Sequence, residues 1–277
     1  MNDVNRGPQA SQRLPLISMK IASWNVNSLK VRLPQLLQWL QTECPDVVGL
    51  QETKLMDDKF PGDEIDAAGY HVVFAGQKTY NGVAVLSRKD TVGPATDVVT
   101  ELPGLEDPQR RVLGVTVGDL RFLDLYVPNG SEVGSDKYEY KLGWFEKCIA
   151  YVETQLQQYD RFAVVGDYNI APEDADVHDP EGWTGQVLFS GPERQAFQRL
   201  LSLGLTDSFR LFEQEPSSFS WWDYRMGAFR RNRGLRIDHI LVSDALRAVC
   251  TGSRIIRETR TWERPSDHAP VVAEFST

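Results

Sequence analysis

Short apolar runs that break off at carboxylate, amide or imidazole residues set the strongest limit on how this chain can fold. The runs are Ile21–Val26, Val47–Gln51, His71–Phe74, Val83–Ser87, Val112–Val117, Arg121–Val127, Phe162–Gly166, Ile237–Val242 and Val271–Phe275. Several place β-branched residues in succession and are bounded by Gly, Asp, Asn or Pro, as strands buried on both faces should be. Helical spacing appears between them. Val31–Thr42 sets Leu33, Leu36, Leu37 and Leu40 at helical intervals, with Pro34 tolerable in the opening turn. Asp136–Tyr159 aligns Tyr138, Leu142, Phe145, Ile149, Val152 and Leu156 on one stripe. Ser190-Gly191-Pro192-Glu193 has capping-box spacing ahead of Phe197, Leu200, Leu201 and Leu203.

This mixed order predicts an α/β sandwich, two facing sheets with helices outside. Such a sandwich brings the strand ends to one rim, where loops carry chemistry on a rigid scaffold. Trp24-Asn25 and Gln51-Glu52 end strands in the first half of the chain. Asp167-Tyr168-Asn169, Asp238-His239 and Asp267-His268 do so in the second, a rough two-fold echo. No linker divides residues 19–277, which are expected to form a single domain. Residues 1–18 are polar apart from Leu14, Pro15, Leu16 and Ile17. They are expected to be a disordered extension, too weakly apolar for a signal-peptide core.

Net charge is −9. That argues against a passive nucleic-acid coat but not against a nuclease, because carboxylates that hold a metal count as negative until the ion binds. Local charge points the other way. Arg225, Arg230, Arg231, Arg233 and Arg236 share one stretch with Trp221, Trp222, Tyr224 and Phe229. Such a segment either faces phosphates while its aromatics stack on bases, or merely solubilises the surface. No apolar run approaches the roughly 18 residues of a membrane-spanning helix. Cys44, Cys148 and Cys250 lack metal-ligand spacing and are expected to be reduced core thiols of a cytoplasmic protein.

The strings Leu50-Gln51-Glu52-Thr53-Lys54, Gly166-Asp167-Tyr168-Asn169, Arg236-Ile237-Asp238-His239 and Pro265-Ser266-Asp267-His268-Ala269-Pro270-Val271 supply the inventory of a metal-assisted phosphoester hydrolase. With WNVNSL at Trp24–Leu29, YVPNG at Tyr126–Gly130, GDYNIAP at Gly166–Pro172, FSWWDYR at Phe219–Arg225 and GLRIDHILVS at Gly234–Ser243, they resemble the exonuclease III class of AP endonucleases. That class belongs to the endonuclease/exonuclease/phosphatase superfamily. The resemblance runs from about Met19 to Phe275. It implies a four-layer α/β sandwich of two mixed sheets flanked by helices, a magnesium or manganese requirement, and repair chemistry on abasic sites and 3′ ends of duplex DNA.

Phosphodiester hydrolysis needs a metal to neutralise the phosphate, an activated water, donors to the non-bridging oxygens and stabilisation of the leaving oxygen. Glu52 is the first metal ligand expected, with Asn27 or Asp267 completing the shell directly or through water. Asp167 is the expected base, and Asn169 holds the water or donates to phosphate; alone, the pair also reads as a common turn. His268 is expected to contact the phosphate as cation or base, oriented by Asp238. His239 should face away from Asp238 on its strand and be structural. Tyr126 is expected to donate to the phosphate or to lower the cost of the departing oxygen, the alternative being an aromatic plug. Asn25 and Asn129 suit phosphate positioning. Trp221, Leu235 and Ile237 align with the abasic-sugar pocket of the resembled class, with ordinary core packing the alternative, above all for Ile237 on its strand, and Arg225, Arg230 and Arg231 are expected to meet the DNA backbone.

The expected activity is a DNA-repair nuclease, acting as a monomer and without a membrane. Two alternatives share these residues in part. A same-fold phosphatase acting on a small molecule or lipid headgroup would keep the carboxylates and imidazole but not need the aromatic–arginine loop. A non-catalytic nucleic-acid-binding regulator should have lost Glu52, Asp167, Asn169 or His268, all of which remain.

Overall fold

A computed structural model of the protein describes residues 18–276. The extension expected over residues 1–18 lies outside them, except for Ser18, which opens the first strand. In chain order the elements begin with β1 (Ser18–Asn25), α1 (Leu29–Glu43), β2 (Val47–Gln51), α2 (Gly62–Ala67), β3 (Tyr70–Ala75), β4 (Val83–Arg88), β5 (Thr96–Val99), β6 (Val112–Val117) and β7 (Leu120–Tyr126). They continue with α3 (Asp136–Leu156), β8 (Phe162–Asp167), α4 (Pro180–Trp183), α5 (Gly191–Ser202), β9 (Leu205–Asp207), β10 (Asp238–Ser243), α6 (Asp244–Arg247), β11 (Cys250–Ile255) and β12 (Val271–Ser276).

The strands form two six-stranded sheets, ordered β11-β12-β1-β2-β4-β3 and β5-β6-β7-β8-β10-β9. Both follow one plan. A central parallel pair, β1–β2 or β7–β8, is flanked on each side by antiparallel strands. A parallel pair needs a crossover connection. The amphipathic helices α1 and α3 supply it, so the two-fold echo of the sequence is a repeat of topology.

Period-two alternation sorts the side chains into layers. β1 and β8 turn Ile21, Ala163 and Val165 toward the opposite sheet, where they meet Val47, Val85, Val115, Phe122, Ile240 and Ala273. Ala22 and Trp24 face outward onto Leu36, Trp39 and Leu40 of α1. Phe162 and Val164 face outward onto Trp144, Phe145 and Val152 of α3 and onto Phe197 and Leu200 of α5. The result is helix, sheet, sheet, helix: the expected four-layer sandwich. The capping box at Ser190 and Glu193 forms as anticipated. Of the cysteines, Cys148 is a core thiol, whereas Cys44 and Cys250 are half-buried. No helix among the described residues is long and apolar enough to cross a membrane.

Near the rim the inter-sheet layer turns polar. Gln51 Nε2 donates to Ser23 Oγ at 2.9 Å and to Asp124 Oδ1 at 2.5 Å. Burial pushes the Asp124 carboxyl well above the usual range, against hydrogen bonds from Gln51 and from the Leu50 and Leu125 backbone.

Gly166 sits where β8 hands over to the rim. Its φ is +143°, and a Cβ there would lie 1.9 Å from the Leu125 carbonyl oxygen. Backbone cannot retreat as a flexible side chain can. Gly166→Ala is therefore expected to cost about 3 kcal/mol, the upper end of overpacking penalties. Denaturant unfolding of purified protein measures it, and a loss under about 1 kcal/mol would show that β7 and β8 part freely.

Candidate active site

Strand register assembles the site. Across β7–β8 Tyr126 pairs with Asp167, and across β8–β10 Asp167 pairs with Asp238. A phenol and two carboxylates thus stand in one row at the end of the second sheet. Asn25 ends β1 opposite Gln51 in the first sheet. Its Nδ2 donates to Asp167 Oδ2 at 2.9 Å and to Glu52 Oε1 at 3.0 Å, linking the sheets. The loop before β12 brings in His268. Its Nδ1 donates to Asp238 Oδ2 at 2.9 Å, and its Nε2 lies 3.8 Å from Asp167 Oδ2. Asn169 N donates to Asp167 Oδ1 at 2.9 Å, and its side-chain amide donates to Val127 O at 3.0 Å and Asp167 Oδ2 at 3.3 Å. Asn129 Nδ2 donates to Asn169 Oδ1 at 3.1 Å.

The backbone is strained at these points. Asn27, Glu52, Lys54 and Asn169 hold φ of +42°, +53°, +54° and +49°. Each such residue outside glycine costs on the order of 1 kcal/mol, and such costs gather where side chains must be aimed.

Electrostatics divides the roles. Burial raises the Asp167 carboxyl to about 7, with His268 opposing the rise and Asp238 adding to it. Burial also opposes a charge on His268, but Asp238 and Asp167 overcome it and raise the imidazole to about 10. His268 is therefore a cation near neutral pH, while Asp167 is poised to gain or lose a proton. Burial and the charges of Glu52 and Asp167 drive the Tyr126 phenol well up, which keeps it a donor. Although burial works against it, the Lys54 ammonium and the Asn25 amide hold Glu52 below the usual carboxylate range.

Glu52, Asp167 and His268 each offer a potential ligand atom within 4.8 Å of the others. Asn27 and Asp267 lie alongside. Asn27 Nδ2 donates to Asp267 Oδ1 at 2.8 Å, and Trp221 Nε1 donates to Asp267 Oδ2 at 3.0 Å. Lys54 Nζ donates to Asn27 Oδ1 at 2.5 Å and lies 2.8 Å from Glu52 Oε2. An ammonium thus already rests against the Glu52 and Asn27 oxygens. Carboxylate and amide oxygen around a positive charge is the donor chemistry of a hard divalent cation, and the residues fit one.

Beside the polar cluster, Leu235 and Ile237 are buried with Val177, Leu188 and Phe189, and half-buried Trp221 packs against them. The segment 174–190 therefore walls this apolar patch. Arg225, Arg230 and Arg231 are exposed on the neighbouring loop. Two residues of that loop depart from expectation. Arg236 is buried, its guanidinium 2.6 Å from Asp176 and 2.8 Å from Asp207, so it faces no phosphate. Trp222 is fully buried, packs against Phe229 and cannot stack on a base. His239 is structural, as its place on the strand implied. It accepts from Arg236 at 3.0 Å and donates to Ile170 O at 2.9 Å, and burial and Arg236 hold it neutral with a pKa of about 4.

Sequence reasoning assigned no role to Ser220, Lys54 or Arg32. Ser220 Oγ donates to Asp238 Oδ2 at 2.7 Å and accepts the Ile237 and Asp238 N–H groups, both at 3.1 Å, which fixes the carboxylate behind His268. Arg32 donates to Asn27 O at 2.6 Å and to Tyr224 Oη and Pro265 O at 2.9 Å each, clasping three site loops. Ser220 and Lys54 lie inside quoted motifs, and that was the available signal; Arg32 had none.

Two facing sheets with a carboxylate–imidazole rim define a class of hydrolase, and residues 22–268 match the Endonuclease/Exonuclease/phosphatase family. The chain belongs to that family. It is 38% identical over 269 residues to exodeoxyribonuclease III of Haemophilus influenzae, covering 93% of this chain and 100% of that protein. Among solved structures, the 3′ phosphatase NExo from Neisseria, bound to product DNA hairpin, superposes with a TM-score of 0.91 at 48% identity, covering 94% of this chain and 100% of that one. An AP endonuclease from Archaeoglobus fulgidus superposes with a TM-score of 0.88 at 35% identity, with the same coverage. Glu52, Asp167 and His268 remain the group among the described residues that could hold a metal ion.

Asp167 gives a stability prediction. A carboxyl raised in the folded state binds more protons than in the unfolded chain, whose aspartates titrate near about 4. Stability then falls as pH climbs from about 4 toward 7, and the cost is complete above 7. Metal-free Asp167→Asn is expected to melt above the parent at about pH 8, by roughly 2–4 °C per kcal/mol recovered. The gap should close as pH approaches 4. Calorimetry across this range checks it; a variant that melts lower at every pH would refute the raised carboxyl.

Proposed function

We propose that this protein is a metal-dependent DNA-repair nuclease that hydrolyses phosphodiesters 5′ to abasic sites and at 3′ ends of duplex DNA, as 3′–5′ exonuclease and 3′-phosphatase. The observation that carries the reading is the meeting of Glu52, Asp167 and the Asp238–His268 pair across two sheets. The ion we assign is Mg2+, with Mn2+ as substitute, held by Glu52 with Asn27 and Asp267 at hand; it supplies Lewis-acid neutralisation of the phosphate. The remaining steps belong to the chain itself. Asp167, steadied by Asn25 and Asn169, accepts a proton from the attacking water. The His268 cation, kept charged by Asp238, donates to a non-bridging oxygen, and the Tyr126 phenol donates to the departing oxygen as the P–O bond breaks. Asn129 positions the phosphate. Half-buried Trp221, backed by the buried Leu235 and Ile237, would meet a sugar that lacks its base, and exposed Arg225, Arg230 and Arg231 would meet neighbouring phosphates. We assign the protein to the cytoplasm as a monomer. A same-fold phosphatase for small molecules would have no use for the exposed arginine loop, which favours the polymer substrate.

Duplex DNA carrying one abasic analogue, incubated with Mg2+ or with chelator and resolved on a denaturing gel, tests the assignment. Metal-dependent incision is expected. Tight binding without incision, or hydrolysis of inositol phosphates in its place, would overturn it. Asp167→Asn should lose turnover while retaining DNA binding. Glu52→Gln should raise the Mg2+ concentration needed for half-maximal rate while leaving the fold intact, and an unchanged Mg2+ dependence would remove Glu52 from the metal shell.

A further inference from the structure

Lys141 lies on the buried side of α3, three residues after Tyr138 and three before Trp144, in a stripe that is otherwise mostly apolar. Its side chain is 1% exposed. An ammonium is an expensive group to bury unless every N–H finds a partner. Here all of them do. Nζ donates to the backbone oxygen of Asn129 at 3.1 Å, to that of Asn169 at 2.6 Å, and to the Glu193 carboxylate. Burial pushes the ammonium's pKa down, and Glu193 opposes the shift.

The identity of the two backbone partners gives this arrangement its meaning. Asn129 follows β7 and Asn169 follows β8, so both lie on the rim loops of the central parallel pair. Their side chains are bonded to each other, and the Asn169 amide bonds Asp167 in turn. Asn169 holds its carbonyl toward Lys141 only because its backbone is left-handed, with φ of +49°. Gly130 makes room for the lysine stem: a Cβ there would lie 3.1 Å from Lys141 Cδ. Glu193 extends the hold to a third segment, accepting from Leu188 N and Ser190 N at 3.0 Å each. Leu188 belongs to the apolar patch beside the site.

We propose that Lys141 is a positioning residue for hydrolysis: its buried ammonium pins the Asn129 and Asn169 loops together and thereby aims the Asp167 carboxylate. The inference rests on the nuclease reading for its kinetic consequence and on the geometry alone for its structural one. It touches no reacting atom and acts through Asn169.

The test uses the full-length protein with Lys141→Met and, as a charge-balanced control, Lys141→Met combined with Glu193→Gln. Hydrogen exchange followed by mass spectrometry is expected to show faster exchange over residues 128–131 and 168–172 in both variants, with β3 and β4 unchanged. This readout needs no activity. Unchanged exchange over those loops would overturn the proposal whether or not the wild type cuts DNA. Failure of the nuclease reading shows itself separately, as absence of metal-dependent incision by the wild type. Where the wild type is active, kcat is expected to fall about 100-fold, the scale of an ångström's misplacement, with KM little changed. The charge-balanced control should recover melting temperature but not kcat, which a purely structural ion pair would restore together. In an Asn169→Ala background Lys141→Met should lower kcat little further, because both changes break the same link. Full additivity would show that Lys141 does not act through Asn169 and would overturn the assignment.

Discussion

Burying His268 between Asp238 and Asp167 places a cation where water screens it poorly, and the neighbouring groups answer to that charge. Asp238 can stay behind the imidazole because Ser220 occupies one of its oxygens. Asp167 can stand 3.8 Å from Nε2 because Asn25 and Asn169 donate to it. Glu52, Asp167, Asp238 and Asp267 have His268 and Lys54 as their nearest cations, while Lys141 and Arg260 act on Asp167 and Asp267 from further off. Ionised, the four carboxylates outnumber those two nearest cations. Like charges this close raise one another's proton affinity, and a divalent cation removes the imbalance. The proposed metal would thus be favoured by local charge as well as by ligand type.

Such crowding survives because it is built at the ends of paired strands rather than on loops alone. The alternation that places Ile21, Val165 and Ile240 between the sheets also directs Asn25, Asp167 and Asp238, two or four residues away, into the same layer where it opens to solvent. The site is the wet margin of the inter-sheet core. Ser23, Gln51 and Asp124 mark the transition, polar but sealed from water. The two-fold repeat of topology matters here as well. Each sheet contributes a parallel pair whose strand ends point at the other, and the Asn25 amide joins them.

Much of this was legible in the chain. Strands buried on both faces have long apolar runs, and a run stopped by Asp167 or Asp238 can be read without knowing its partner. β5, β9 and β11 could not be read. They lie at sheet edges; β5 is largely exposed, β9 is only three residues long and β11 carries a register shift between Cys250 and Gly252. Their pairing is imposed by the neighbouring strand rather than by their own pattern. Arg236 and Lys141 were illegible for a related reason. A charged side chain looks exposed in sequence unless its partner is near, and Asp176, Asp207 and Glu193 lie 29 to 60 residues away along the chain. The Asn27–Asp267 bond spans 240 residues and has no sequence signal at all.

Separating structural from free cations resolves how an acidic protein can serve the proposed polyanionic substrate. Arg236 is spent on Asp176 and Asp207. Arg257 and Arg260 lie over the rings of Trp222 and Phe229, and Arg260 also donates to Trp222 O at 3.3 Å, so these two stiffen the loop from beneath. Among the described residues, Arg225, Arg230, Arg231 and Arg233 of that loop enter no ion pair, and all are exposed. A loop braced by edge-packed aromatics presents those guanidinium groups with little ordering cost, and their field is local while the net −9 belongs to the whole chain. On the proposed reading, phosphate attraction would therefore be confined to one side of the rim. The negative net charge would favour departure of the product once the local contacts and the metal no longer act on the same strand.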